Sequence, residues 1–178
     1  MSFPDTVPAS LTEALGTPLQ GVDGRRRSLS SLLGERATAV VFVGNGCPTV
    51  RAYEERLMRI HARDGDHVRV IAVNSNNPYL SPPDTMQEMR SRARARQLTY
   101  PYLKDPDGGV ARGFGAVCTP HAFLLDERGH IVYSGRIDDS RMGDTITSND
   151  LADAIDAMLA GRPVAVDRTT PFGCSIVW

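Results

Sequence analysis

Three cysteines, Cys47, Cys118 and Cys174, are the side chains in this sequence best suited to covalent redox chemistry. The reactive form of a cysteine is its thiolate, so the question for each is whether its surroundings favour a negative charge. Cys47 follows the apolar, β-branched run Ala39-Val40-Val41-Phe42-Val43, which reads as a buried strand, and then the loop signal Gly44-Asn45-Gly46. Beyond it, Val50, Tyr53, Leu57 and Ile60 recur at helical spacing, with Arg51, Glu54, Glu55 and Arg59 expected on the solvent face. Pro48 suits a first helical position. Cys47 is therefore expected at a helix N-terminus, where unsatisfied backbone N–H groups and the helix dipole favour an anion. A lowered pKa follows. Without that chemistry, the same residue reads as a small buried hydrophobe, as free cysteines commonly are.

The cysteines are too few and too widely spaced for a disulfide framework, and an odd count leaves one unpaired. In a reducing compartment a pair that does form is usually catalytic or redox-sensing. The spacings fit no zinc pattern, and His61, His67, His121 and His130 are scattered, so neither a metal nor a cofactor is expected. With 20 basic and 21 acidic residues, the chain has no global attraction to nucleic acid or an acidic membrane surface. No apolar run is long enough to span a membrane, and Met1-Ser2-Phe3-Pro4-Asp5 lacks the basic start and apolar core of a signal peptide. The expected compartment is the cytoplasm.

The 178 residues fit one domain. Residues 1–16 read as a loose lead-in with a helical turn at Leu11-Thr12-Glu13-Ala14-Leu15. Asp23-Gly24 predicts a short hairpin, whose Arg25, Arg26 and Arg27 would blunt an edge strand. Ser28 to Gly34 reads as one helical turn. After the turn Asp64-Gly65-Asp66, the run Val68 to Val73 predicts a second strand, parallel to the first across the Cys47 helix. The polar loop from Asn74 to Pro83 would lie at the carboxyl edge of that sheet, with its asparagines and Tyr79 as candidate lining for the Cys47 site. Asp84, followed by Gln87, reads as a capping box for a solvated helix through Gln97; its Arg90, Arg92, Arg94 and Arg96 do not form a basic stripe.

Tyr100 to Gly109 reads as an extended piece running into a turn, then a brief helix over Val110 to Phe114. The two apolar runs around Asp126-Glu127-Arg128-Gly129 predict a hairpin, with Pro120 at its head as a candidate cis peptide. Leu151, Ala154, Ile155, Met158 and Leu159 give a regular helical stripe after a cap at Thr147 to Asp150. The tail Pro171-Phe172-Gly173-Cys174-Ser175-Ile176-Val177-Trp178 is too apolar to stay free. Its docking would bring Cys174 toward Cys47.

This element order, with Thr119-Pro120 leading into Phe123-Leu124-Leu125-Asp126, and Tyr133-Ser134-Gly135-Arg136-Ile137-Asp138 beyond, resembles the thioredoxin-like superfamily. More narrowly it resembles the alkyl hydroperoxide reductase/thiol-specific antioxidant (redoxin) branch. The resemblance implies an α/β thioredoxin-like fold with a central mixed β-sheet flanked by helices, an N-terminal hairpin and a C-terminal tail. The expected organisation is a lead-in over 1–16, a domain over 17–161 and a docking tail over 162–178. Cys47 matches the nucleophilic cysteine of the thioredoxin motif, and Pro120 the cis proline beside it.

Two positions depart from the family patterns. A Cys-x-x-Cys motif would have its second cysteine where Val50 stands, and a peroxiredoxin Pro-x-x-x-Thr/Ser-x-x-Cys has its first two residues replaced by Val40 and Gly44. Thr49 is the candidate substitute hydroxyl. The resemblance implies a thiol-dependent oxidoreductase with peroxiredoxin-like antioxidant activity, taking a peroxide or disulfide substrate at Cys47. Pro48, Thr49, Thr119 and Pro120 are the expected substrate-binding residues. Cys174, on the freer backbone, is preferred over Cys118 as the resolving thiol, and a thioredoxin-like protein or small thiol is the expected reductant. Arg136 reads either as a nearby cation or as a surface ion pair. A non-catalytic module binding a peptide along Thr119-Pro120, or a redox sensor, is the alternative, and a homodimer is left open.

Overall fold

The computed structural model describes residues 7–65 and 67–178, so residues 1–6, with the Met1-Ser2-Phe3-Pro4-Asp5 start, and Asp66 lie outside the described residues. Its middle is β3 (Ala37–Val43), whose seven residues are all buried. On one side β3 pairs in parallel with β4 (Val68–Asn74), and on the other it pairs antiparallel with β7 (His121–Asp126), Val41 facing Ala72 and Ala122. The sheet runs outward from β4 through β5 (Tyr102–Lys104) to the hairpin of β1 (Leu19–Gly21) and β2 (Arg26–Arg27). Past β7 it ends in β8 (Ile131–Gly135). Arg26 and Arg27 do occupy an edge strand, and Arg27 is ion-paired with Asp23 in the turn.

Because side chains alternate along a strand, β3 serves two cores. Ala37, Ala39, Val41 and Val43 pack with Tyr53 and Leu57 of α2 (Pro48–Asp64), Met89 of α3 (Met86–Arg96), and Leu151 and Ile155 of α5 (Asp150–Leu159). Val40 and Phe42 face Leu11 and Leu15 of α1 (Ala9–Gly16) and Phe114 of α4 (Gly109–Phe114). Leu151 and Ile155 are fully buried, and each such side chain contributes about 1.5–3 kcal/mol of transfer free energy. The expected stripes of α2 and α5 face the core, with Val50, Tyr53, Leu57, Leu151, Ala154 and Ile155 buried and Ile60, Met158 and Leu159 partly buried against it.

Several expectations are corrected. The helical turn read at Leu11 to Leu15 lies within α1, but the segment is not loose there, because Leu11, Ala14 and Leu15 form an i, i+3, i+4 face that packs on α4. Glu54, expected in solvent, is 3% exposed. Its carboxylate accepts from Arg92 Nη2 at 2.8 Å and Arg96 Nε at 3.1 Å, so two arginines of the supposedly solvated α3 hold that helix against α2. Asp84 does not cap α3. Thr85 is the N-cap, accepting from the Glu88 N–H, while Asp84 is buried at the end of a 3-10 turn over Pro82–Asp84. Among the described residues, no helix is long and apolar enough to cross a membrane.

Candidate active site

Cys47 is the N-cap of α2, with Pro48 in the first turn, and is 4% exposed. Burial pushes its thiol pKa up, but hydrogen bonds from the Cys174 thiol, the Val50 and Cys174 backbone N–H groups and the Thr119 hydroxyl outweigh it, leaving the pKa lowered. The Val50 N–H is one of the orphan donors that every helix start presents. In its neutral form the Cys47 Sγ–H donates to the Thr119 carbonyl at 3.2 Å.

The loop before Cys47 is held from all sides. The Asn45 N–H donates to Asp84 Oδ1 at 2.7 Å and its Nδ2 to the Pro83 carbonyl at 2.8 Å. The Tyr102 hydroxyl donates to Asn45 Oδ1 at 2.8 Å, and Arg51 Nε to the Asn45 carbonyl at 3.0 Å. The carboxylate of Asp84 also accepts from Asn74 Nδ2 at 2.6 Å and Asn76 Nδ2 at 3.0 Å. Lys104, 5% exposed, donates to Asn74 Oδ1 at 2.9 Å; burial pulls its ammonium down to about 8 against the upward pull of Asp84 and Asp105. A buried carboxylate is tolerated here because its oxygens are hydrogen-bonded and a cation lies one amide away.

Opposite Cys47 stands β6 (Cys118–Thr119), followed by a cis Thr119–Pro120 peptide. The tail returns to this point: β9 (Cys174–Ser175) pairs antiparallel with β6, Thr119 facing Cys174. The pKa of Cys174 is raised to about 11 by burial and by its bond to the Cys47 sulfur. It therefore acts as a neutral donor to a Cys47 thiolate. Cys118 is also buried, and burial, with the Cys47 charge nearby, raises its thiol pKa. Its Sγ–H points to the Pro120 carbonyl, 3.6 Å away.

Of the sequence-predicted residues, the structure gathers Cys47, Pro48, Thr119, Pro120 and Cys174 around one sulfur pair. The hydroxyl that helps lower the Cys47 pKa is that of Thr119, which also donates to the Cys174 carbonyl at 3.5 Å, whereas Thr49 is a buried residue of the first α2 turn. Gly44 carries no hydroxyl, and the space beside it is taken: a Cβ there would come within 2.7 Å of Asn76 Nδ2. Tyr79 is 92% exposed and does not line the site. Arg136 is ion-paired with Asp150 at 2.8 Å. Sequence reading missed Asp84, Tyr102 and Lys104. The available signal was a lysine ending the otherwise apolar Tyr102-Leu103-Lys104 strand.

A family model described as AhpC/TSA family matches residues 12–134. No curated protein matches the chain. Among solved structures, a hypothetical protein of Sinorhizobium meliloti 1021 is 32% identical at a TM-score of 0.84, covering 100% of this chain and 98% of that one. An uncharacterized conserved protein of Geobacillus kaustophilus is likewise 32% identical, at a TM-score of 0.85 and the same coverage. An exposed lipoprotein thioredoxin of Streptococcus pneumoniae TIGR4 is 20% identical at a TM-score of 0.59, covering 70% of this chain and 91% of that one. That last likeness is one of fold alone, and the fold is thioredoxin-like.

Proposed function

The chain belongs to the AhpC/TSA family, whose members are generally thiol oxidoreductases, and we propose that it is a peroxiredoxin-like antioxidant enzyme with Cys47 as nucleophile and Cys174 as resolving thiol. The observation that carries this reading is the placement of the tail: Cys174 on β9 stands opposite Thr119, whose carbonyl lies 3.2 Å from the Cys47 sulfur, and the thiol beside it helps lower the Cys47 pKa. The Cys47 thiolate attacks a hydroperoxide oxygen; the O–O bond breaks, giving a sulfenic acid, and the alkoxide leaves and takes a proton to become an alcohol. Cys174 then attacks the Cys47 sulfur and its proton goes to the departing hydroxide, releasing water. The peroxide has gained two electrons, and the protein holds them as lost in a Cys47–Cys174 disulfide.

An external thiol resets the pair. Its thiolate attacks the Cys174 sulfur, since Cys174 is the less enclosed of the two and Cys47, with the lower pKa, is the better leaving group. A thioredoxin-like protein or a small thiol in the cytoplasm fits this step, where all three cysteines would rest reduced. In this reading the catalytic body spans 17–161 and the tail over 162–178 supplies the second sulfur. Pro48, Thr119 and Pro120 border the approaching oxidant.

The test is intact-mass analysis and peptide mapping after about one equivalent of hydrogen peroxide is added to the reduced protein. Loss of two hydrogens with a mapped Cys47–Cys174 link is expected. A Cys47–Cys118 link would move the resolving role to Cys118, and a stable sulfenic acid would leave resolution to an external thiol. A Cys47 no faster than a free thiol would favour the non-catalytic binding module instead.

A further inference from the structure

The short strand β6 offers one hydrogen-bonding edge beside Cys47, and β9 has taken it. Pairing of an extended segment with a strand edge is a general docking mode in which backbone bonds supply affinity. Here the added strand belongs to the same chain and carries its own sulfur to the nucleophile. Its seat is anchored at both ends. Gly173 passes so close to Thr119 that a Cβ at 173 would come within 2.0 Å of the Thr119 carbonyl oxygen. Beyond Cys174, Ile176 is 5% exposed and joins the core on the Phe42 side of the sheet. The Val177 N–H donates to Asn76 Oδ1 at 2.9 Å, and its carbonyl accepts from the Asn77 N–H at 2.7 Å. The Arg112 guanidinium lies 4.6 Å over the Trp178 ring.

We infer that the docked tail is a tethered occupant of the β6 edge that sets the substrate class of this site: Cys47 takes oxidants small enough to reach it past the seated tail, a hydroperoxide or a low-mass disulfide, and is closed to disulfides carried on protein chains. This rests on the thiol chemistry proposed above. With a low-mass disulfide, the Cys47 thiolate attacks one sulfur, the substrate S–S bond breaks and the other sulfur leaves as a thiolate, which takes a proton from solvent. Cys174 then attacks Cys47, expelling the first sulfur, which takes up the Cys174 proton. The substrate ends as two thiols and the protein as the Cys47–Cys174 disulfide. A protein disulfide obeys the same balance, but the chain flanking its sulfurs needs the edge that β9 fills. A short tether holds its occupant at an effective concentration on the order of millimolar, which a free chain must outcompete.

The experiment compares full-length wild type with Ile176→Asp and Trp178→Ala, which loosen two tail anchors of different kinds, so one remains if the other does not fold. Two probes are used: insulin disulfides, with dithiothreitol resetting the protein, and oxidised glutathione. Wild type is expected to speed insulin reduction little over dithiothreitol alone, while Ile176→Asp raises it about tenfold and Trp178→Ala about threefold. The glutathione rate should move the other way, falling about two- to fivefold as the Cys174 donors leave the Cys47 sulfur. Opposite signs separate an opened edge from a damaged fold, which would slow both reactions. Wild type reducing insulin as readily as glutathione disulfide overturns the inference, as do variants no faster than wild type on insulin. A wild type inert to both hydrogen peroxide and oxidised glutathione overturns the thiol chemistry together with this inference.

Discussion

At the start of α2, Cys47 is 4% exposed and its thiol pKa is lowered; across the site on β6, Cys118 is 9% exposed and its thiol pKa is raised. Desolvation pushes both in the same direction. They part because the helix start and the tail aim N–H and S–H donors at Cys47, and the Thr119 hydroxyl of β6 adds an O–H, whereas no such donor lowers the pKa of Cys118, whose Sγ–H points at the Pro120 carbonyl. The strand side disfavours charge of either sign. His121, three residues after Cys118, is pulled down to about 4 by burial, with its ring 4.3 Å from Phe123 and its Nδ1 accepting the Val117 N–H at 3.3 Å. Two buried cysteines thus differ in thiol pKa through the donors around them, and exposure alone would not rank them.

The largest test of that contrast is removal of each sulfur. Cys47→Ser should slow the reaction with hydrogen peroxide by about a thousandfold or more, and Cys118→Ser by less than about threefold, in stopped-flow peroxide consumption. Equal losses would erase the distinction. Next comes the strand side's intolerance of charge. Below its ordinary pKa of 6.5 His121 is protonated in the unfolded chain, yet it stays neutral in the fold until about 4. Stability contributed above 6.5 is therefore lost as pH falls through that window, by about 3 kcal/mol from this group. Urea denaturation at pH 7, 5 and 4 should show the fall, and His121→Gln should flatten it.

A smaller effect separates the thiols by pH. Iodoacetamide at pH 6 to 7 should label Cys47 at least about tenfold faster than Cys118, because a lowered pKa keeps thiolate present at lower pH. Peptide mass mapping reads the ratio, and a preference for Cys118 would sink the assignment of charge to the helix side. Smallest is Thr119→Val, which removes one hydroxyl donor from Cys47 while leaving the strand pairing in place. The Cys47 pKa should rise, with alkylation at pH 7 slowing about threefold. No change would mean the backbone and Cys174 donors suffice.

Much of this arrangement was legible because its causes are local. The strand at Val40 to Val43, the Gly44-Asn45-Gly46 loop and the α2 stripe each leave a periodic or turn signal in consecutive residues. Glu54 and Asp84 were misread for the converse reason. A charged residue on a helix or in a Pro-rich turn is exposed by default, and their burial depends on Arg92 and Arg96 in one case and on Asn45, Asn74 and Asn76 in the other. Neither partnership has a spacing that a sequence pattern records.

By itself, the sequence determined that Cys47 caps a helix behind a buried strand, since a helix brings its own unsatisfied N–H groups wherever it starts. Only the tertiary structure decided which cysteine faces it. Cys118 and Cys174 lie on paired strands, but Thr119 stands opposite Cys174, so pairing register turns the tail's sulfur toward Cys47 and leaves Cys118 against the Pro120 carbonyl. Register is a property of two strands far apart in the chain, and it is set by where the tail's Ile176 and Val177 find their seats.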